Sequence, residues 1–141
     1  MSILQQILGF VWRAIPVWAR RTVVRRTQTH FTASVGAVVI NDAGQVLLLD
    51  HVLRPGSGWG IPGGFMEENE QPETTAKREL CEEVGLEIAE LQHFSTQTSG
   101  RHIEVIYSCL ATNQPRVKSN EILEAKWFPP DALPPEVPKS Q

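Results

Sequence analysis

Three glutamates, Glu79, Glu82 and Glu83, have the i, i+3, i+4 spacing that places side chains on one side of a helix. Carboxylates held this close repel one another, so the arrangement calls for a compensating cation. Arg78 supplies one positive charge, which is fewer than three carboxylates need. A hard divalent cation with oxygen ligands is the physically reasonable partner, and Mg²⁺ in proteins usually holds phosphates. The alternative interpretation is a solvated acidic face, which is the usual meaning of clustered glutamates on a helix.

The helix that would carry these glutamates is predicted over residues 72–84. Pro72 suits the first turn, where its missing N–H would have no helical partner. Gly85 suits a helix end, because glycine readily adopts the left-handed conformation found there. Apolar residues recur every four positions beside the carboxylates, namely Ala76, Leu80 and Val84. The pattern therefore predicts a helix with one acidic side and one core-facing side.

The spacing of residues across 64–86 resembles the Nudix box. The matching positions are Gly64, Glu70, Arg78-Glu79-Leu80, Glu82-Glu83 and Gly85-Leu86. Residues 59–64, WGIPGG, also resemble the family's approach to the box, and a weaker similarity extends over residues 33–133. The resemblance implies an α/β fold, the Nudix-type α/β/α sandwich with a mixed β-sheet. It also implies a hydrolase that cleaves nucleoside diphosphates linked to another group, by water attack on phosphorus.

The same resemblance implies a metal site. Glu79, Glu82 and Glu83 match the family's metal-binding and water-activating carboxylates, with Mg²⁺ or Mn²⁺ as the cofactor. The carbonyl of Gly63 would complete the metal shell. The lack of a side chain at Gly63 and Gly64 lets the backbone come close to metal and phosphate.

Supporting roles follow from the resemblance as well. Arg78 would hold a neighbouring glutamate in place, and Glu70 would anchor the preceding loop to the helix. A further family carboxylate often comes from a loop ahead of a tryptophan in the last core strand. Glu121, before Trp127, is the favoured candidate for this catalytic carboxylate. The less favoured candidates are Glu124 and Glu104.

Hydrophobic runs and turn residues predict the strands around the helix. The predicted strands cover residues 35–40, 45–50, 86–95, 103–110 and 125–128. The first two form a hairpin, and the loop at residues 53–58 contains Pro55, Gly56 and Gly58. Arg54 in this loop could touch a phosphate, but a lone loop arginine is more often solvated, and the interpretation as a solvated side chain is favoured. Prolines between residues 129 and 138 are expected to end regular structure.

The two ends of the chain differ in charge. Five arginines and no acidic residue precede Asp42, whereas eight basic and sixteen acidic residues lie from Asp42 onward. This asymmetry divides the chain into an N-terminal amphipathic helix with a basic extension, residues 1–30, and a Nudix hydrolase domain, residues 31–141. The basic segment after the helix is compatible with either a strand or a helical extension.

Residues 2–15 have the apolar periodicity of an amphipathic helix, but they are too short to span a membrane. The prolines near the C-terminus leave no room for a second covering helix, so one face of the sheet would lack cover. The favoured role of the N-terminal helix is therefore to cover apolar surface, on its own domain or on a partner chain in a homodimer. The less favoured alternative is contact with an anionic membrane surface through residues 1–26.

The two cysteines form no metal pair or disulfide pattern, which indicates a reducing compartment, and the expected location is cytoplasmic. The expected partner is a small-molecule nucleotide substrate, favoured over nucleic acid. Two alternatives remain open: an RNA 5′-end pyrophosphohydrolase, supported by the basic N-terminal segment, and a catalytically silent nucleotide-binding module. The intact box counts against the second.

Overall fold

The computed structural model of the chain describes residues 2–54, 58–135 and 137. Its contacts divide the chain into two units, Met1–Phe31 and Thr32–Gln141. The described part of the first unit is helical, and that of the second combines a sheet with a helix. The assignment of separate roles to residues 1–30 and 31–141 stays a prediction.

Two helices form the first unit: α1, Ile3–Ala14, and α2, Val17–Thr27. Ser2 caps α1, because its Oγ accepts a hydrogen bond from the Gln5 N–H at 3.3 Å while the Gln5 side chain accepts the Ser2 N–H at 2.9 Å. Pro16 separates the helices, since the residue before a proline disfavours helical conformation. The predicted amphipathic helix is confirmed, and the basic segment after it is helical.

Most described residues of the first unit are exposed to solvent. Neither α1 nor α2, both of which the structure describes in full, contains a buried residue. None of the described helices combines the length and the apolar content that a membrane span requires. The expectation that α1 covers an apolar surface stays a prediction.

The described part of the second unit contains seven strands and one helix. The strands are β1 (Thr32–Ile40), β2 (Val46–His51), β3 (Trp59–Gly60), β4 (Gly63–Phe65), β5 (Ile88–Ser99), β6 (His102–Ala111) and β7 (Ile122–Phe128). The sheet has the order β3-β2-β1-β6-β5, with β4 paired to β1 and β7 paired to β2. Strands β1 and β6 are parallel and the other recorded pairs are antiparallel. The predicted mixed α/β fold is confirmed.

Helix α3, Pro72–Val84, has the predicted bounds. Pro72 lies in its first turn, and Gly85 ends it in the left-handed conformation with φ of 62°. The Gly85 N–H donates to the Cys81 carbonyl at 3.0 Å, which satisfies one of the last carbonyls of the helix.

The apolar side of α3 packs on one face of the sheet. Leu80 and Val84 are fully buried against strand residues that include Val39 and Leu47. Ala76 packs beside them with Val35 and Tyr107 of the sheet. This contact fixes the rotation of α3 and so places Glu79 and Glu83 beside strand β4.

The opposite face of the sheet has a second apolar cluster. Leu48 and Ile106 are buried there with Ile61, and the Trp59 and Phe128 rings meet edge to face with centroids 5.2 Å apart. The expectation that this face lacks cover is therefore wrong here, because the segment before the box and the end of β7 supply apolar cover.

Four strands are longer than predicted, namely β1, β5, β6 and β7. Strand β5 extends to Ser99, where it pairs with His102, and β7 begins at Ile122, opposite His51. Register shifts in β5 between Ala89 and Gln92 break its alternation, so its sequence pattern is weak. Of the loop residues predicted at 53–58, Pro55 and Gly56 lie outside the described residues, as does Pro138.

We predict that Leu80→Ala lowers the free energy of unfolding by about 2–5 kcal/mol, because it leaves a cavity where α3 meets the sheet. Urea unfolding measures this change. Cys81→Ala is the matched control, since the neighbouring Cys81 is exposed, and it should stay within about 0.5 kcal/mol of the parent. A loss for Leu80→Ala as small as that of the control would contradict the packing role of α3.

Candidate active site

Arg78 lies at the centre of the acidic side of α3. Its Nε donates to Glu70 Oε1 at 2.8 Å and its Nη2 donates to Glu70 Oε2 at 3.0 Å, so the pair is bidentate. Its Nη1 donates to Glu79 at 2.8 Å and to Glu82 at 3.2 Å. Its Nη2 also reaches the Phe65 carbonyl at 3.1 Å. One guanidinium therefore joins three carboxylates to strand β4.

Glu70 links the loop before α3 to the helix. Besides Arg78, its carboxylate accepts hydrogen bonds from the Glu67 N–H at 3.1 Å and from Thr75 Oγ1 at 2.7 Å. The Arg78 guanidinium, helped by these two donors, lowers the pKa of Glu70 to about 2. The carboxylate is thus ionised at neutral pH, and its contacts match the anchoring role expected from the sequence.

Glu83 is the most enclosed of the three clustered glutamates, with 7% of its surface exposed. The Gly63 N–H donates to its Oε2 at 3.2 Å. Burial raises the pKa of Glu83 to about 8, and the nearby Glu79 and Glu121 carboxylates act in the same direction. Burial also raises the pKa of Glu79, although Arg78 opposes this shift. Glu82, by contrast, has an exposed side chain.

Gly63 and Gly64 lie where no side chain fits. A Cβ at Gly63 would overlap the Val35 carbonyl of the neighbouring strand β1, and a Cβ at Gly64 would overlap the Glu79 carboxylate. The two glycines therefore let β4 pass between β1 and the acidic side of α3.

The predicted site residues lie together around one cleft of about 480 Å³. Those lining it include Gly63, Arg78, Glu79, Glu82, Glu83 and Glu121, together with Ser119. Glu121 directly precedes β7, whereas Glu124 lies within that strand and does not line the cleft. Glu104 lines a different cavity. The placement suits the choice of Glu121, whose catalytic role stays a prediction.

Comparison with known protein families identifies the family to which the chain belongs. The family model of the NUDIX domain matches residues 30–141. The chain belongs to the Nudix family.

Individual relatives agree with this family assignment. A MutT-like protein of Streptomyces ambofaciens is 31% identical over 105 residues, which cover 72% of this chain and 66% of the relative. The NAD-capped RNA hydrolase NudC of Vibrio vulnificus is 28% identical over 104 residues, covering 72% of this chain and 40% of the relative. The chain thus spans less than two thirds of the length of either protein.

A solved structure shows the shared fold. The MutT NUDIX hydrolase from Burkholderia pseudomallei matches with a TM-score of 0.71 at 24% identity, covering 79% of this chain and 93% of that one. The mixed sheet with its box helix is therefore the Nudix fold.

Nudix hydrolases generally use divalent metal ions, and the donor set of the cleft suits one. Five glutamates line it. Burial raises the pKa of two of them, Glu79 and Glu83, and a divalent cation would oppose that shift. Among the described residues, however, no three acidic, histidine or cysteine side chains converge closely enough to form a metal centre. Arg78 donates hydrogen bonds to Glu79 and Glu82, and the Gly63 N–H donates one to Glu83.

A smaller cavity of about 160 Å³ lies on the other side of the two glycines. Its lining includes Ser34, Arg54, Phe65 and Glu104 together with Gly63 and Gly64. Burial lowers the pKa of Arg54, while the carboxylates of Glu104 and Glu83 oppose that shift. The interpretation of Arg54 as a solvated side chain is therefore wrong, because the structure places its guanidinium partly inside the molecule.

The position of Arg54 depends on Gly60. A Cβ at Gly60 would overlap the Arg54 guanidinium, whose Nη1 lies 3.4 Å from the Trp59 carbonyl. A glycine six residues after an arginine is a weak sequence signal. Only the folded backbone reveals that Arg54 lies against it.

His51, at the end of β2 near Arg54, makes the stability of the fold depend on pH. Burial and then the Arg54 charge lower its pKa from 6.5 to about 4, against smaller opposing effects of the Ile61 backbone and Asp50. The unfolded state then binds more protons between pH 6.5 and 4. The contribution of His51 to stability is therefore fully present above pH 6.5 and is lost as the pH falls toward 4.

Between pH 6.5 and 4, we predict that the free energy of unfolding falls by about 1 kcal/mol less in His51→Gln than in the parent protein. This figure is reduced because part of the His51 ring is accessible to solvent. Urea unfolding at a series of pH values measures the difference. His30→Gln, at an exposed position of the first unit, is the control and should follow the parent. Parallel pH profiles for His51→Gln and the parent would show that His51 is not the titrating group.

Proposed function

We propose that this protein is a metal-dependent Nudix hydrolase that cleaves the pyrophosphate of a nucleoside diphosphate linked to another group, by water attack on phosphorus. The observation that carries the proposal is the single cleft lined by Glu79, Glu82, Glu83 and Glu121. Membership of the Nudix family supports it.

In this proposal Glu79, Glu82 and Glu83 hold Mg²⁺ or Mn²⁺, and the Gly63 carbonyl is a further ligand. A divalent cation supplies charge neutralisation at the pyrophosphate and orients an attacking water. Arg78 positions Glu79 and Glu82 through its hydrogen bonds. Glu121 faces the cleft from the start of β7, where a carboxylate oxygen can accept a proton.

The substrate proposed is a small nucleotide such as a nucleoside triphosphate or a nucleotide sugar. The second candidate is an RNA 5′-end, which the name of the Vibrio vulnificus relative and the five arginines of the first unit favour. A silent binding module is disfavoured by the complete set of box carboxylates. The proposed location is the cytoplasm, since both cysteines are free thiols.

We predict that purified protein with Mg²⁺ or Mn²⁺ hydrolyses at least one member of a panel of nucleoside triphosphates, nucleotide sugars, dinucleotides and 5′-capped or triphosphorylated RNA. EDTA should abolish the activity, because the carboxylates alone cannot neutralise the pyrophosphate. Released phosphate and nucleoside monophosphate are the readouts. Inactivity across the panel, with folding and metal binding confirmed, would favour the binding module.

We further predict that Glu82→Gln and Glu83→Gln each lower kcat roughly 100-fold or more, since metal coordination contributes several kcal/mol to transition-state stabilisation. Their metal-free melting temperatures should hold or rise slightly, because Glu82→Gln removes a repelling charge and Glu83→Gln replaces a buried carboxyl with an uncharged side chain. Glu87→Gln is the matched control at an exposed position beyond α3 and should keep full activity. A large loss of metal-free stability in the first two variants would make these carboxylates structural.

The two substrate classes differ in their response to salt. If the substrate is RNA, KM should rise steeply between low and physiological salt, because counterion release on binding becomes less favourable as the salt concentration rises. For a free nucleotide, we predict a much shallower dependence. Measuring KM for both classes at several salt concentrations distinguishes them.

A further inference from the structure

The first unit presents a large apolar surface to solvent. Exposed side chains of α1 include Ile3, Leu4, Ile7, Leu8, Phe10, Val11 and Trp12, and Trp18 of α2 is 73% exposed. The two helices do not bury these side chains against each other, because neither helix contains a buried residue. A contiguous apolar surface exposed in this way commonly marks an interaction site.

The apolar side of α1 is wide. With 100° of rotation per residue, Phe10 and Trp12 mark the two edges of an apolar sector of about 200°, and Val11 lies near its middle. The remaining part of the helix surface carries Gln5, Gln6, Gly9 and Arg13. A partner helix in a coiled coil covers only a narrow seam. A single helix from a second copy would therefore leave much of this sector in water, whereas a planar apolar medium covers it all.

The charge of the first unit points to the same kind of partner. Arg13, Arg20, Arg21, Arg25 and Arg26 are accompanied by no acidic residue before Asp42. Arg20, Arg21 and Arg25 line a groove together with Trp12, Val17 and Val24. Cations and large apolar side chains thus share one surface. Two copies facing each other would bring like charges together, which disfavours self-association.

We propose that α1 and α2 form a docking surface for an anionic lipid bilayer. The apolar side of α1 inserts at the level of the acyl boundary, Trp12 and Trp18 lie at headgroup depth, and the arginines contact lipid phosphates. Nucleic acid offers phosphates as well, but it provides no acyl layer for the seven apolar side chains of α1. The bilayer is the partner that accounts for both features.

Vesicle flotation with the full chain tests the proposal. Vesicles of phosphatidylcholine alone are compared with vesicles that also contain phosphatidylglycerol. We expect roughly 10-fold or tighter binding to the anionic vesicles, and this preference should decrease with added salt. Failure of the protein to float with anionic vesicles at low salt would overturn the proposal.

Paired variants separate the apolar contribution from the charge contribution. Leu8→Glu places a charge on the apolar side of α1, while Gln6→Glu makes the same charge change on the polar side. We expect Leu8→Glu to abolish flotation and Gln6→Glu to weaken it only a few-fold. Equal effects of both variants would overturn the insertion of α1. Circular dichroism and nucleotide hydrolysis check that each variant remains folded.

A second pair tests the arginines without touching α1. The double variant Arg21→Gln, Arg25→Gln should lose most of the preference for anionic vesicles. The control, Arg101→Gln with Arg116→Gln, changes the net charge equally at exposed positions of the second unit and should retain it. Equal losses in the two double variants would overturn the assignment of the docking surface.

Two further measurements address the other partners. Sedimentation velocity that shows a dimer, dissociated by Leu8→Glu, together with no vesicle binding would replace the bilayer with a second copy. Binding to single-stranded RNA that depends on Arg21 and Arg25 but not on Leu8, again without vesicle binding, would replace it with nucleic acid. A monomer that floats only with anionic vesicles supports the proposal.

Discussion

The guanidinium of Arg78 is the contact on which the acidic side of α3 depends. It holds Glu70 in a bidentate pair, reaches Glu79 and Glu82, and donates to the Phe65 carbonyl. These bonds join the helix, the loop before it and strand β4 in one network. Without this cation, the mutual repulsion of Glu70, Glu79 and Glu82 would be opposed only by solvent screening. Arg78 can serve all of them because the neighbouring Leu80, buried in the core, fixes the rotation of α3.

One side of α3 thus packs into the core, and another side carries the residues of the site. Leu80 and Val84 hold α3 on the sheet, and this packing brings Glu83 into a nearly closed position beside Gly63. Burying a carboxylate with a single backbone donor is unfavourable, as its raised pKa shows. Such an arrangement is typical of a functional site rather than of a stabilising contact.

The sequence predicted those features that depend on local signals. The bounds of α3 follow from Pro72 and Gly85, and the cleft residues follow from a motif of fixed spacing. Features that depend on distant contacts were missed or wrong. Strand β5 is irregular in sequence and extends because β6 pairs with it to His102. Arg54 is half-buried because Gly60 makes room for it, a contact that exists only once β3 pairs with β2.

The difference between local signals and distant contacts also explains why a sequence motif indicates the type of chemistry more readily than the substrate. The cleft with the carboxylates and the smaller cavity share Gly63, Gly64 and Phe65 in their walls, so strand β4 separates them. At the two glycines this wall is only backbone, and any side chain there would collide with β1 or with Glu79. The acidic side of the wall comes mostly from one continuous stretch of sequence. The other side takes Ser34 from β1, Glu104 from β6 and Arg54 from the loop after β2. Parallel pairing of β1 and β6 sets Ser34 opposite Glu104. Under the proposed function, selectivity for the group attached to the pyrophosphate would therefore depend on tertiary contacts that no local spacing encodes.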